Sequence, residues 1–280
     1  MDILTKIINR KKEEVAERKS LYPLKLLEKS VYFNTKPVSL KKYLLKPDKS
    51  GIIAEFKTKS PSKSDINPYA NVAEVSIKYM QAGASALSIL TDRIFFGGCL
   101  EDLTTARRYN YCPILQKDFL IDEYQIIEAK SYGADAILLI AAVLSKTKIL
   151  DLAKLAQSLQ MEVLLEIHNE KEINKLNEFV DLVGVNNRNL KTFQVSINQS
   201  IHLSGFIPDD FLKISESGIK TANDIIELKK YGYKGFLMGE SFMSTRNPGK
   251  ACKTLIQQIY QLENNIKNYS QNEVKSLWIE

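Results

Sequence analysis

Eight short apolar runs recur at a nearly even pitch along this chain, and most of them end in an ionisable or amide residue. They span Gly51–Lys57, Ser85–Leu90, Pro113–Lys117, Asp135–Ile140, Glu162–Glu166, Asp181–Asn186, Phe211–Glu216 and Lys234–Gly239. A continuous apolar run of this length suits a strand buried on both faces, whereas a half-exposed strand alternates. Such strands separated by helical stretches make parallel βαβ units. Eight of them close into a (β/α)8 barrel, an α/β fold whose chemistry sits at the C-terminal rim. The polar strand ends are therefore where function is expected.

The even pitch leaves no room for an internal boundary, so the 280 residues divide into a single TIM barrel over 1–262 and a polar tail over 263–280. The barrel includes an N-terminal helical extension, residues 1–50, which is more than a barrel requires and is expected to cover its bottom or shield its rim. Within the extension, Asp2 can cap a helix over 2–19 whose Ile3, Leu4, Ile7, Ile8 and Val15 share one face. Further helices are expected over Pro23–Ser30 and Ser39–Leu45, and between the strands. Gly83, Gly133 and Gly232 fall just past helices, where a left-handed cap is wanted. The tail is Asn- and Lys-rich, and the sequence leaves open whether it extends the last helix or frays.

Composition excludes several classes. No apolar stretch approaches the roughly 20 residues of a membrane span, and an acid at position 2 followed by polar residues is unlike a signal peptide. A cytoplasmic enzyme is expected. Cys99, Cys112 and Cys252 lack a CxxC spacing, so neither a disulfide framework nor a metal site is indicated. The net charge of +6 comes from scattered lysines without interleaved aromatics, which fits an anionic small substrate or a solvated surface better than nucleic acid. No GxGxxG, Walker loop, HExxH or GxSxG occurs.

The first strand ends in Glu55-Phe56-Lys57, and strand alternation puts Glu55 and Lys57 on one side. Alone, this pair reads equally as a structural ion pair or as catalytic machinery. Lys117 ends the third strand, Glu166 the fifth, Asn186 and Arg188 follow the sixth, and Glu216 ends the seventh. Burying an unpaired lysine costs several kcal/mol or shifts its pKa. So many charges gathered on one rim are better explained by an active site than by packing. Ser217-Gly218 after strand seven and Gly239-Glu240 after strand eight put glycines where backbone N–H groups can bind phosphate, with Ser60 able to add a hydroxyl. Phe96 and Phe119 form either an apolar wall for a ring or ordinary core. His168 and His202 match no nucleophile or metal spacing and read as bystanders.

The stretches Glu55-Phe-Lys-Thr-Lys-Ser-Pro-Ser62, Leu90-Thr-Asp with Phe96-Gly-Gly, Lys117-Asp-Phe119, Leu165-Glu-Ile-His168, Gly184-Val-Asn-Asn-Arg-Asn-Leu190, Ser215-Glu-Ser-Gly218 and Met238-Gly-Glu240 resemble indole-3-glycerol phosphate synthases. The resemblance runs from Met1 to Leu262 and leaves out only the tail. It implies ring closure, decarboxylation and dehydration of 1-(2-carboxyphenylamino)-1-deoxyribulose 5-phosphate in tryptophan biosynthesis. No metal, cofactor or obligate protein partner is implied. By motif, it implies Lys117 as general acid held by Glu55, Lys57 as the partner of the substrate carboxylate and second acid, and Glu166 as base. Asn186, Arg188, Glu216 and Ser217 would position the substrate and catalytic groups. Ser60, Gly218, Gly239 and Glu240 would bind phosphate, and Phe96 and Phe119 would flank the ring. Thr58 and Cys99 depart from the usual pattern without touching the acid–base set.

Three other readings fit less well. Phosphoribosylanthranilate isomerase needs a cysteine base at the rim, and no cysteine ends the first strand. A barrel retired to scaffolding would show breaks among the acid–base residues. A bifunctional chain would need more length than the tail offers.

Overall fold

The structure, a computed structural model, describes residues 2–189 and 192–276; Leu190 of the motif after the sixth strand and the last four residues of the tail lie outside these. The eight apolar runs become β1 (Ile52–Phe56), β2 (Ala86–Leu90), β3 (Ile114–Lys117), β4 (Ala136–Ile140), β5 (Glu162–Ile167), β6 (Leu182–Asn186), β7 (Leu212–Glu216) and β8 (Tyr233–Met238). Each pairs in parallel with the next, and β8 returns to β1 through Ile52 opposite Phe236 and Ala54 opposite Met238. The barrel is closed, so no sheet edge is left unpaired.

Both strand faces are buried, which is why the runs are continuous rather than alternating. Ile53, Leu115, Leu138, Leu164, Ile214 and Leu237 fill the inside. The outward side chains pack under α4 (Val72–Gln81), α6 (Leu100–Tyr109), α7 (Glu123–Ser131), α8 (Lys146–Ser158), α9 (Asn198–Ser204), α10 (Ala222–Lys230) and α12 (Pro248–Ser276). Gly83, Gly133 and Gly232 adopt φ of +98°, +93° and +86° at the expected caps.

The extension serves both ends of the barrel. α3 (Leu40–Leu45) leads into β1 and inserts Leu40 and Leu44 into the interior cluster, plugging the bottom. α1 (Ile3–Leu21) is capped by Asp2, whose carboxylate accepts from Thr5 N at 2.9 Å, and it lies over the rim. It is held to α7 by Arg18, which donates to Glu128 at 2.6 Å, and by Val15 packed with Tyr124.

Two local features differ from expectation, and a third answers what the sequence left open. The Pro23–Ser30 stretch keeps only one turn, α2 (Leu24–Leu27). The β5–β6 connection is a 3₁₀ helix, Glu170–Lys175, because the Glu172 carboxylate folds back to accept from His168 N at 2.7 Å and Asn169 Nδ2 at 2.8 Å. The last helix carries its backbone on into the polar segment as far as Ser276.

Candidate active site

Inward-facing positions at the C-terminal ends of the strands gather the charged residues into one layer above the apolar interior. Lys117, from β3, lies between two buried carboxylates, with Nζ 3.1 Å from Glu166 Oε2 on β5 and 3.5 Å from Glu216 Oε2 on β7. Glu55, from β1, instead pairs with Lys57 at 2.9 Å and accepts from Ser88 Oγ at 3.4 Å. Glu55 thus acts on Lys117 through its charge and not by contact, because Lys57, two residues along the chain, takes its carboxylate. Asn186 donates to Glu166 Oε1 at 3.1 Å and orients Arg188 by accepting from its backbone N at 3.0 Å.

These neighbours drive the carboxylates apart. Burial raises the pKa of Glu166, but Lys117, His168 and Asn186 outweigh it and hold the group below its ordinary value. Burial also raises Glu216, and there the attraction of Lys117 is offset by repulsion from Glu166 and Glu55, leaving it well above the usual carboxylate range. For Lys117, burial is overcome by Glu166, Glu216 and Glu55, which keep it an ammonium. Two carboxylates with opposed shifts around one ammonium are the arrangement from which acid and base roles are assigned.

Backbone geometry makes room for these groups. A Cβ on Gly184 would come within 2.1 Å of Glu216 Oε1, an oxygen with no hydrogen-bond partner among the described residues. A Cβ on Gly239 would lie 2.6 Å from Glu55 Oε1. Ser217 takes a left-handed φ of +65° ahead of Gly218 at +75°. That strained turn is anchored by buried Asn187, which donates to Ser217 O at 3.0 Å and Ser215 Oγ at 2.9 Å.

A cavity opens over the charged layer. Phe96, from α5 (Arg93–Phe96), and Phe119 pack against each other on one side of it with ring centroids 5.9 Å apart, and Ile3, Leu4 and Ile7 of α1 contribute to its lining. The two phenylalanines are therefore a wall of the site. A second hollow continues from Lys57 and Arg188 to Gly218, Gly239 and α11 (Glu240–Met243). Arg188 Nη2 lies 3.6 Å from Glu240 Oε2 there. Ser60 lines the first cavity, and the two glycines line the hollow that adjoins it through Lys57, Arg188 and Ser217.

Sequence reasoning missed two contributors. Lys11 of α1 is buried against Asp118 at 2.9 Å, Asp92 at 3.1 Å and Glu14 at 3.0 Å. Its signal was its spacing, because it falls between Ile7 and Val15 on the buried helix face. His168, set aside as a bystander, has Nε2 3.3 Å from Glu166 Oε1. His202 is exposed and pairs with Glu170 at 2.7 Å.

The family model described as indole-3-glycerol phosphate synthase matches residues 4–255. The chain belongs to the indole-3-glycerol phosphate synthase family. The synthase of Bacteroides thetaiotaomicron is 46% identical over 258 residues, covering 92% of this chain and 99% of that one. The synthase of an Acinetobacter baumannii strain is 42% identical, covering 91% and 96%. Among solved structures, 3-hexulose-6-phosphate synthase from Salmonella typhimurium has a TM-score of 0.59 at 12% identity, over 75% of this chain and 99% of that one. Tryptophan synthase subunit alpha from Legionella pneumophila has a TM-score of 0.58 at 14% identity, over 81% and 98%. These two likenesses concern the barrel alone. The synthase match begins in the roof helix and ends in α12, so it takes in both ends of the barrel and all eight strands.

Proposed function

We propose that this rim performs the family's reaction, converting 1-(2-carboxyphenylamino)-1-deoxyribulose 5-phosphate to indole-3-glycerol phosphate, carbon dioxide and water. The observation that carries the reading is the Lys117 ammonium held between Glu166 and Glu216 under an aromatic-walled cavity. The substrate ring lies against the wall that Phe96 and Phe119 form together, and its phosphate lies in the hollow by Gly218 and Gly239. Lys57, which borders both spaces, meets the ring carboxylate.

Lys117 gives its proton to the ketone oxygen as the carboxylate-bearing ring carbon attacks the ketone carbon. The C–CO2 bond then breaks, and its electron pair returns to the ring and its nitrogen. Lys57 protonates the departing hydroxyl, while Glu166 removes the C–H proton whose loss makes the new ring aromatic. Glu166 returns that proton to Lys117 across 3.1 Å. One proton is then owed to Lys57 by solvent, which matches the one proton consumed when an ionised carboxylate leaves as carbon dioxide. The division of labour between the lysines follows their partners: Lys117 has Glu166 to reload it, and Lys57 borders both the cavity and the phosphate hollow.

The test is to add this substrate to purified protein and follow indole fluorescence, with a parallel binding titration. A catalytic rise is expected. Absence of binding would overturn the substrate assignment, and binding without any turnover would overturn the catalytic one.

A further inference from the structure

His168 lies two residues beyond Glu166, just past the end of β5, and its side chain turns to the same side as that of Glu166. They nevertheless face different spaces. Glu166 borders the cavity over the charged layer, whereas His168 borders a separate polar hollow between the loops after β5 and β6, shared with Asn169, Glu172 and Gln199. The imidazole spans the wall between them. Its Nε2 lies 3.3 Å from Glu166 Oε1 and its Nδ1 lies 3.8 Å from Glu172 Oε2, ion-pair distances at which neither nitrogen completes a hydrogen bond among the described residues. Its backbone is fixed on both sides, His168 N donating to Glu172 Oε2 at 2.7 Å and His168 O accepting from Gln199 Nε2 at 2.7 Å.

We propose that His168 is a positioning residue of the reaction: a cation set between Glu172 and Glu166 Oε1 whose charge keeps Glu166 ionised while its Oε2 faces Lys117. This deepens the reading of Glu166 as the base and rests on it. An ionised base is needed at the dehydration step, and Lys117 cannot be the group that keeps it so, because Lys117 has just given its proton away. At that moment Asn186 and His168 are the remaining partners of Glu166, and only His168 carries charge.

The charged groups around the ring act together. Burial favours the neutral imidazole, but Glu172, Glu166 and Glu216 outweigh it and raise its pKa above the ordinary value. Lys117 touches the other oxygen of Glu166, and Asp2 and Arg188 border the same polar hollow as the ring. As pH rises through this elevated value, the cation and its hold on Glu166 are lost.

The chain has two histidines, so ring NMR titration of the full-length protein reports His168 directly, with His202→Gln assigning the other signal. The expected result is a titration above the ordinary histidine value that falls by about one pH unit in Glu166→Gln and in Glu172→Gln. Turnover is expected to show an alkaline limb at the same pH. In His168→Asn that limb should be absent, with kcat lower by about tenfold and KM within about twofold. Because the titration needs no change at position 168, it stands even where His168→Asn folds poorly. A titration unmoved by Glu166→Gln, or a kcat profile unchanged in His168→Asn, would overturn the inference. If Glu166→Gln abolishes turnover while His168→Asn keeps the wild-type profile, only the role of His168 fails. Normal turnover in Glu166→Gln would instead overturn the base assignment itself.

Discussion

Lys11 Nζ lies 2.9 Å from Asp118 Oδ1, so the roof helix is tied to the residue next to Lys117. The same ammonium lies 3.1 Å from Asp92 Oδ2, and Asp92 caps the short helix that carries Phe96 by accepting from Phe95 N at 2.7 Å. Asp118 in turn accepts from Phe119 N at 2.7 Å and Thr91 Oγ1 at 2.5 Å. One lysine therefore connects α1 to both phenylalanines of the cavity wall. Lys11→Met leaves two buried carboxylates without their cation, at a cost of about 3 kcal/mol. Urea denaturation should register that loss, and steady-state kinetics should show KM rising by more than kcat falls. An unchanged KM would mean that the roof helix docks without this clamp.

Glu216 gives a pH signature. Its folded-state pKa is raised, first by burial and then by Glu166 and Glu55, so the folded protein binds this proton more tightly than the unfolded chain. Stability is therefore present below the ordinary carboxyl pKa and is lost as pH rises through the elevated folded value. Glu216→Gln removes that dependence. The variant should gain about 1 kcal/mol or more over wild type at alkaline pH and much less at pH 5, while losing activity. Denaturation curves at the two pH values check this, and a constant difference between the proteins would contradict it.

Gly184 tests the same carboxylate from the backbone side. The added methyl of Gly184→Ala would meet Glu216 Oε1 and displace it from Lys117. We expect kcat to fall about tenfold or more with the barrel intact. Circular dichroism alongside turnover separates this outcome from unfolding.

The phosphate hollow is tested at Gly218. Its φ of +75° is costly for alanine, and the new Cβ would strike Val195 Cγ1. Gly218→Ala should raise KM about tenfold and leave kcat within about threefold. A selective loss of kcat would move the phosphate elsewhere.

Much of this was legible in the sequence because a barrel strand announces itself by continuous burial and its rim by polar strand ends. All eight runs became strands within a residue or two of their expected bounds. Partner choice was harder to read. Strand alternation put Glu55 and Lys57 on one side, but it could not show that their pairing leaves Lys117 to Glu166 and Glu216, because that depends on distances across the barrel. Lys11 was hidden for a related reason. A lysine on an apolar helix face reads as a solvated edge until the carboxylates that bury it arrive from β2 and β3. His168 lacked any sequence partner because its approach to Glu166 is made just past the end of β5 and its anchor, Glu172, belongs to a tight 3₁₀ turn.

The most direct test of the acid assignment is Lys117→Ala, assayed with chelator-treated protein by indole fluorescence under single-turnover conditions. The wild-type protein should retain its rate after chelation. The variant should keep the barrel's circular dichroism and bind the substrate, yet turn over about a hundredfold or more slowly. A folded Lys117→Ala protein that closes the indole ring at a near-normal rate would contradict the role given to Lys117.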